Sequence, residues 1–214
     1  FFIFFEFELI PMFMLIAIWG SGRPRYSAMK FVLFTLAGGA FMLVGILAIY
    51  VTPGVNTLAM VSIPELGIVG VPELIAGADL VVPAALIFTF FFIAVAVKLP
   101  LWPVHSWLPD AHTDAPTAVS VMLAGVLLKM AGYGLLRISL GFFQETKGFT
   151  IHDVAGYMAV VAAVSVIYGG IITIRQTDMK RLIAYSSISH MGFVMLGVAA
   201  VGSSAVETST AGLN

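Results

Sequence analysis

The sequence predicts an all-α, polytopic membrane protein, and three observations lead to this fold class. Hydrophobic residues make up 60% of the 214 residues and charged residues only 10%, against about 45–50% and about 25% in soluble domains. The mean hydropathy is +1.07. Six apolar stretches are each long enough for a transmembrane helix, which needs about 20 such residues. So few charged side chains cannot cover the surface of a soluble fold of this size.

The six predicted spans are separated by short polar loops and one long connection. In chain order they cover residues 1–19, 31–51, 83–110, 117–140, 154–174 and 182–201. The connection, residues 52–79, is rich in Pro and Gly and contains no Lys or Arg. The chain begins Phe-Phe-Ile-Phe-Phe, without an initiator Met or the basic start of a signal peptide. We therefore expect residues 1–214 to form a single transmembrane domain that is a piece of a longer polypeptide.

The third predicted span contains two prolines beside a lysine. Lys98 is followed by Pro100 and Pro103. Because proline lacks a backbone N–H and clashes with the preceding turn, the helix should unwind next to Lys98. Broken helices inside a bilayer are tolerated against protein or a water-filled cavity, and many transporters build ion sites from them. An ordinary packing kink is the alternative, which the neighbouring lysine disfavours.

Basic side chains in two loops predict the orientation. They are Arg23, Arg25 and Lys30 after the first span, and Arg175, Lys180 and Arg181 after the fifth. Four crossings separate the two loops, so both fall on the same side of the membrane. Because Lys and Arg are enriched in cytoplasmic loops, that side is predicted to be cytoplasmic.

Composition also excludes several classes of site. The formal net charge of -1 offers no clustered basic surface for nucleic acid. The absence of cysteine from these 214 residues excludes disulfides, thiolate metal sites and iron–sulfur clusters within them. Methionines are spread through all spans, which is typical of packing rather than of metal ligation. We expect neither a metal site nor a cofactor site in this chain.

Four ionisable residues lie well inside the predicted spans, namely Glu6, Lys98, Lys129 and His190. Counted from the basic face at 1.5 Å per residue, all four lie about 18–21 Å deep, near the bilayer centre. A lysine there costs at least about 2.5–3.5 kcal/mol, so such residues must face the bundle interior, pair with one another or lose their charge. Burial favours the neutral forms and pairing favours the charged forms. A Glu–Lys pair that opens and closes can therefore exchange a proton.

This layer of charges is interpreted as a proton relay, with a static salt bridge between spans as the alternative. Desolvation offsets most of the attraction in a buried pair, so stability alone explains the layer poorly. His105, seven residues beyond Lys98, is predicted to lie two turns along the same face, where it could take a proton from the lysine; a hydrogen-bonded structural role is the alternative. Glu8, two positions from Glu6, is predicted to point to a different face, and its role stays open.

Three segments together resemble a known family. They are FFEFELIPMFMLIAIWG at the start, KLPLWPVHSWLPDAHTDAPTAVSVMLAGVLLKMAGYGLLR in the middle and QTDMKRLIAYSSISHMGFVMLG near the end. The chain closely resembles the antiporter-like subunit M family, also called chain 4, of bacterial respiratory complex I. The resemblance implies a subunit of about fourteen helices with inverted repeats and broken helices, of which this chain would contain helices five to ten.

The resemblance also implies roles for individual residues. Glu6 matches the family's glutamate on the fifth helix, Lys98 the lysine beside the break in the seventh, and Lys129 the lysine on the eighth. His105 and His190 match histidines proposed to line the hydrated path. The exit-side proton residue would lie outside this chain, and Glu8 is not part of the shared glutamate motif.

The function implied is proton translocation by a membrane subunit of NADH:quinone oxidoreductase, coupled to quinone reduction. NADH, FMN, iron–sulfur clusters and quinone would belong to partner subunits, which include other membrane subunits, and the chain would lie in the bacterial cell (inner, or plasma) membrane. Two alternatives stay open. One is a subunit of a cation/proton antiporter or a membrane-bound hydrogenase, and the other is a non-transporting assembly scaffold.

Overall fold

The computed structural model describes residues 1–55, 57–66, 68–144 and 146–211, with side chains up to residue 204. The described residues form helices joined by turns. The helices are α1 (Phe2–Phe7), α2 (Leu9–Trp19), α3 (Pro24–Tyr50), α4 (Val71–Gly77), α5 (Ala84–Lys98), α6 (Trp107–Asp114), α7 (Thr117–Met122), α8 (Leu128–Gly134), α9 (Ile151–Ile174) and α10 (Met179–Ala211). One turn of 3₁₀-helix, Pro64–Leu66, precedes α4.

Five helical stretches among the described residues are long and apolar enough to cross a bilayer. They are Phe2–Trp19, Pro24–Tyr50, Thr117–Leu140, Ile151–Ile174 and Met179–Ser204. The shorter apolar helix α5 supplies the remaining predicted span, the third in chain order, which α6 continues after a break. The predicted fold class, a helical polytopic membrane protein with one broken span, is confirmed.

The second span begins seven residues earlier than the apolar pattern predicts, at Pro24 instead of Phe31. Proline is favoured in the first turn of a helix because its missing N–H has no partner there in any case. The helix therefore continues past the apolar stretch to the basic end of the bundle. Similarly, α9 begins at Ile151 instead of residue 154, because Thr150 and Asp153 form a capping box that satisfies free backbone groups of the first turn.

The break in the third span lies between Lys98 and Trp107, as the prolines predict. The polar groups freed there are satisfied by protein. The backbone N–H of Trp102 donates to Ser165 Oγ of α9 at 2.9 Å, and the Trp107 indole donates to the carbonyl of Val97 at 2.8 Å. Residues 111–114, predicted to be a loop, belong to α6 instead. The turn before α7 is thereby reduced to Ala115 and Pro116.

The fourth span is helical throughout but not uniformly α-helical. Two wider π-helical stretches, Leu123–Leu127 and Leu135–Leu140, lie on either side of α8. Such insertions are uncommon and occur frequently at functional sites. Lys129 lies in the short regular segment between them.

The two basic loops lie at the same end of the bundle, because the helices that follow them, α3 and α10, both contact α6 or the turn after it. Lys30 pairs with Asp110 at 2.7 Å, and Ser27 donates to Asp114 at 2.5 Å. From the other loop, Lys180 donates to the carbonyl of Ala115 at 2.7 Å. The structure therefore places the basic loops together, while the cytoplasmic location of that end stays a prediction.

Candidate functional site

Lys98 is the last residue of α5, and its side chain is fully buried, with 0% exposure. The ammonium group lies 3.5 Å from the centroid of the Phe5 ring, a distance at which the aromatic face attracts a cation. It also donates a hydrogen bond to the carbonyl oxygen of Phe5. Because Pro100 ends the helix here, the lysine occupies the junction between the regular helix and its break.

Two carboxylates of the first span face this ammonium group. Glu6 Oε1 lies 3.5 Å from Lys98 Nζ, and Glu8 Oε1 accepts a hydrogen bond from it at 3.1 Å. The structure thus brings together Glu6 and Lys98, as the sequence predicts. Their roles in proton transfer stay a prediction.

Glu8, predicted to point to a different face from Glu6 with its role left open, pairs with the same lysine. Regular helix stops at Phe7 and resumes at Leu9, with Glu8 between α1 and α2. Lys98 reaches the backbone of the first span at Phe5, so carboxylates from two faces of the helix can approach it. The signal was present in the sequence: a second carboxylate in an apolar span also needs a partner.

Gly39 of α3 makes room for the Glu6 carboxyl group. A Cβ atom at Gly39 would lie 2.5 Å from Glu6 Cδ and 2.6 Å from both carboxylate oxygens, closer than real side chains approach. Both Glu6 oxygens are buried and accept no hydrogen bond from the residues that the structure describes. Glycine at this position therefore permits a carboxyl group to lie directly against the helix backbone.

His105 lies in the broken segment and is nearly buried, with 7% exposure. Its Nε2 is 3.3 Å from the hydroxyl of Tyr168 on α9, and Nδ1 has no hydrogen-bond partner among the described residues. The prediction that His105 lies two turns along the face of Lys98 is wrong. Residues 99–106 are not helical, so helical spacing does not apply there.

Lys129 and His190 are both exposed on the outer surface of this bundle, so of the three predicted outcomes, facing the interior, pairing or losing the charge, the first does not hold within the described residues. Neither has an ion-pair partner in the described part of the chain. Counting residues gives the depth of a side chain but not its direction around the helix axis. The helix of Lys129 does pack near the break, since a Cβ atom at Gly132 would lie 3.9 Å from Leu99 and 3.8 Å from Val194.

The acidic residues of α6 connect helices. Asp110 and Asp114 bind Lys30 and Ser27 of α3, and α7 begins without a side-chain cap. His112 is fully buried, and its Nδ1 lies 2.5 Å from Ser120 Oγ of α7. These contacts fix α6 between α3 and α7 at the basic end of the bundle.

The sequence is similar to subunits of quinone-dependent oxidoreductases. Residues 1–213 match the family described as NADH:quinone oxidoreductase/Mrp antiporter, TM. The chain is 43% identical over 212 residues to NADH-quinone oxidoreductase subunit M of Rhodobacter capsulatus, a match covering 97% of the chain and 40% of that relative. It is 44% identical over 200 residues to NAD(P)H-quinone oxidoreductase chain 4 1 of Synechococcus sp. (strain JA-3-3Ab), covering 94% of the chain and 35% of the relative.

Two solved structures have a similar fold. The first is respiratory complex I from Thermus thermophilus with bound NADH, with a TM-score of 0.77, 30% identity, and 92% of this chain and 39% of that chain covered. The second is the membrane-bound sulfane sulfur reductase, an archaeal respiratory membrane complex, with a TM-score of 0.72, 26% identity, and 92% and 38% covered. In all four matches the chain spans 40% or less of the longer protein.

Proposed function

The chain belongs to the NADH:quinone oxidoreductase/Mrp antiporter transmembrane family, and on that premise we propose that it is part of a proton-translocating membrane subunit of an NADH:quinone oxidoreductase. The observation that carries the proposal is the fully buried Lys98, placed against two carboxylates at the break of a membrane helix. A charge that is costly to bury, beside backbone that can rearrange, is the arrangement a switchable proton site requires.

In the proposed cycle a proton enters from the basic, cytoplasmic end and loads Lys98, whose charge Glu6 balances at 3.5 Å. Quinone reduction elsewhere in the complex drives this pair apart. Separation removes the stabilisation of the ammonium form, because an unpaired charge in a low dielectric is strongly disfavoured. Lys98 then releases its proton toward Lys129, and His105 and His190 belong to the polar path on either side.

The outward direction of Lys129 and His190 is consistent with the partial length of the chain. An uncovered lysine at mid-membrane would cost at least about 2.5–3.5 kcal/mol. Since the chain spans 40% of its Rhodobacter relative, we expect helices of the longer protein to cover this face. The proton path from Lys98 to Lys129 would then lie on the inner side of these covering helices.

The electron-transfer chemistry is assigned to partner subunits. We expect NADH, FMN, iron–sulfur clusters and quinone to bind there and no cofactor or metal to bind in this chain. Other membrane subunits and the lipids of the bacterial cell membrane would surround it, with no role for nucleic acid. The similarity to chains of two multi-subunit respiratory complexes supports this assembly.

The test is to make Lys98→Ala and Glu6→Ala separately in the complete complex and to measure NADH-driven proton pumping in membrane vesicles. We expect each variant to assemble and to lose most of its pumping, by about a hundredfold for loss of an essential proton-transfer group. Glu73→Ala, at an exposed site in α4 outside the spans, is the matched control. A normal ratio of protons to electrons in both variants would contradict the proposal.

A second candidate is a related complex that moves another cation or uses another electron acceptor. It is favoured by the similarity to the archaeal sulfane sulfur reductase complex. Measuring whether sodium, in place of protons, supports the transport current of the complete complex separates the two. A scaffold without transport is the remaining alternative, for which Lys129→Met would stabilise the complex and leave its activity unchanged.

A further inference from the structure

We propose that Glu6, Glu8 and Lys98 form one unit, the carboxylate–lysine triad, which holds a single exchangeable proton. Glu8 anchors the lysine through a hydrogen bond, and Glu6 is the carboxyl group that carries the proton. This inference deepens the proposed function and rests on it. It assigns a role to Glu8, and it separates the residue that holds the lysine from the residue that exchanges the proton.

The contacts of the lysine distinguish the two carboxylates. Lys98 Nζ donates a hydrogen bond to Glu8 Oε1 at 3.1 Å, whereas its distance to Glu6 Oε1 is 3.5 Å and no hydrogen bond forms. A charge-assisted hydrogen bond is about twice as strong as a neutral one and is directional. Glu8 is therefore the residue that holds the ammonium group in place in this state.

The charges of the triad do not balance without a proton. Two carboxylates and one ammonium group carry a total charge of −1, and one added proton makes the unit neutral. No other charged side chain pairs with these three among the described residues. Because net charge in a low-dielectric environment is costly and two close carboxylates rarely ionise together, the neutral, singly protonated unit is favoured.

The geometry around Glu6 identifies it as the protonated member. Its two oxygens are buried and accept no hydrogen bond from described residues, which is unfavourable for a carboxylate and less so for a neutral acid. Glu6 also lines a cavity of about 530 Å³ between the first two spans, together with Gly39 and apolar side chains. Glu8 and Lys98 are not in its lining, so Glu6 lies on the apolar side of the triad, where burial favours the neutral acid.

The transfer sequence conserves protons at every step. The resting unit is protonated Glu6, Lys98 ammonium and Glu8 carboxylate, so in this state Glu8 balances the charge of the lysine, and Glu6 does so only after it has given up its proton. Lys98 gives one proton to the side-chain nitrogen of Lys129 and becomes an amine, and Lys129 passes a proton on toward the exit side, outside this chain, before the next cycle. Protonated Glu6, 3.5 Å from the amine nitrogen, then returns Lys98 to its ammonium form and becomes a carboxylate. Glu6 finally takes one proton from the cytoplasmic side, which restores the resting unit with one proton moved.

The inference is tested with Glu6→Gln, Glu8→Gln and Glu8→Asp in the complete complex, each compared with the control Glu73→Gln. The readouts are NADH-driven proton pumping and the infrared difference band of a protonated carboxyl group, recognised by its shift in D₂O. Glu6→Gln should remove the band. Glu8→Gln should also remove the band, although Glu6 is intact, because the charges of the Glu6 carboxylate and the Lys98 ammonium group then cancel without an extra proton. Glu8→Asp keeps the charge and should keep the band.

Pumping should fall at least about tenfold in both glutamine variants, and less in Glu8→Asp. Retention of both band and pumping in Glu8→Gln, with loss of both in Glu6→Gln, would overturn the triad and leave the proposed function standing. Loss of the band in both variants with normal pumping would support the shared proton and overturn the pump. If Glu8→Gln does not assemble, Glu8→Asp decides, since loss of its carboxyl band would also overturn the triad.

Discussion

Lys98 and Lys129 have similar positions within their predicted spans but opposite surroundings in the structure. Both lie at the middle of apolar spans, at nearly the same predicted depth. Lys98 is fully enclosed, in contact with Phe5, Glu6 and Glu8. Lys129 lies on an exposed face with no ion-pair partner among the described residues.

The difference separates a site that this chain completes by itself from one that it does not. The first span supplies the carboxylates, α3 supplies the space at Gly39, and the broken third span supplies the lysine. Nothing comparable surrounds Lys129 within the described residues. Since a mid-membrane lysine is costly against lipid, we expect helices of the longer protein to cover it.

The largest expected effect comes from replacing each lysine by methionine. In the proposed relay both Lys98→Met and Lys129→Met lower pumping by about a hundredfold, but their effects on stability differ. Lys98→Met leaves the Glu8 carboxylate without its counter-charge beside Glu6, and breaking such a buried pair costs about 3–5 kcal/mol. The thermal stability of the purified complex should therefore fall for Lys98→Met and stay the same or rise for Lys129→Met.

A combined variant serves as the control for that prediction. Lys98→Met together with Glu6→Gln and Glu8→Gln removes every charge of the triad, so stability should return toward the wild-type value while pumping stays absent. Equal stability of the two single methionine variants would contradict the contrast between an enclosed and an incomplete site. It would mean that the carboxylates find other partners.

A smaller effect is expected from Gly39→Ala, which acts on Glu6 without changing a charge. The added methyl group would lie 2.5 Å from Glu6 Cδ, so the carboxyl group must move. Because proton transfer depends on the position of the transferring group, this movement of the Glu6 carboxyl group should lower pumping about tenfold. Gly38→Ala is the matched control, because its Cβ would lie 3.2 Å from the Val97 side chain and no carboxylate is near.

Replacing Glu6 by the shorter aspartate provides a second check on the role of Gly39. Adding Glu6→Asp to Gly39→Ala makes room for the methyl group, so pumping should recover in part. If Gly39→Ala pumps normally, the position of the Glu6 carboxyl group is not critical, and the role of Glu6 as proton carrier loses its geometric support.

The sequence predicts the spans and the break well because both follow from local chemistry. Apolar length identifies the spans, and Pro100 and Pro103 identify the end of α5 at Lys98. Helix ends are less predictable where the chain leaves the apolar stretch, as at Pro24, since hydropathy does not register polar helical turns. The Glu6–Lys98 contact could be predicted, because two opposite charges at one depth in a low dielectric attract strongly.

The direction in which a side chain points around the helix axis could not be predicted from the sequence. Glu8 reaches Lys98 because helix regularity lapses at Glu8, and His105 contacts Tyr168 because residues 99–106 have no helical register. The outward direction of Lys129 depends on how α8 packs against α10 and the break. These outcomes depend on tertiary packing, which residue spacing along one helix does not contain.

The smallest expected effect concerns the surroundings of Lys129 in the complete protein. Oxygen concentrates at the bilayer centre, so its collisions with a nitroxide label report contact with lipid. Residues 1–214 contain no cysteine, so within them Lys129→Cys and Val160→Cys each introduce one labelling site. Val160 is 63% exposed on α9 near the middle of its span, and its label should show high oxygen accessibility. A label at Lys129 should show several-fold lower accessibility, because we expect helices of the longer protein to cover it.

Equal accessibility at both positions would place Lys129 against lipid, where an ammonium group is not stable. Proton transfer from Lys98 would then need a different acceptor, and the enclosed triad alone would remain as the proton site of this chain.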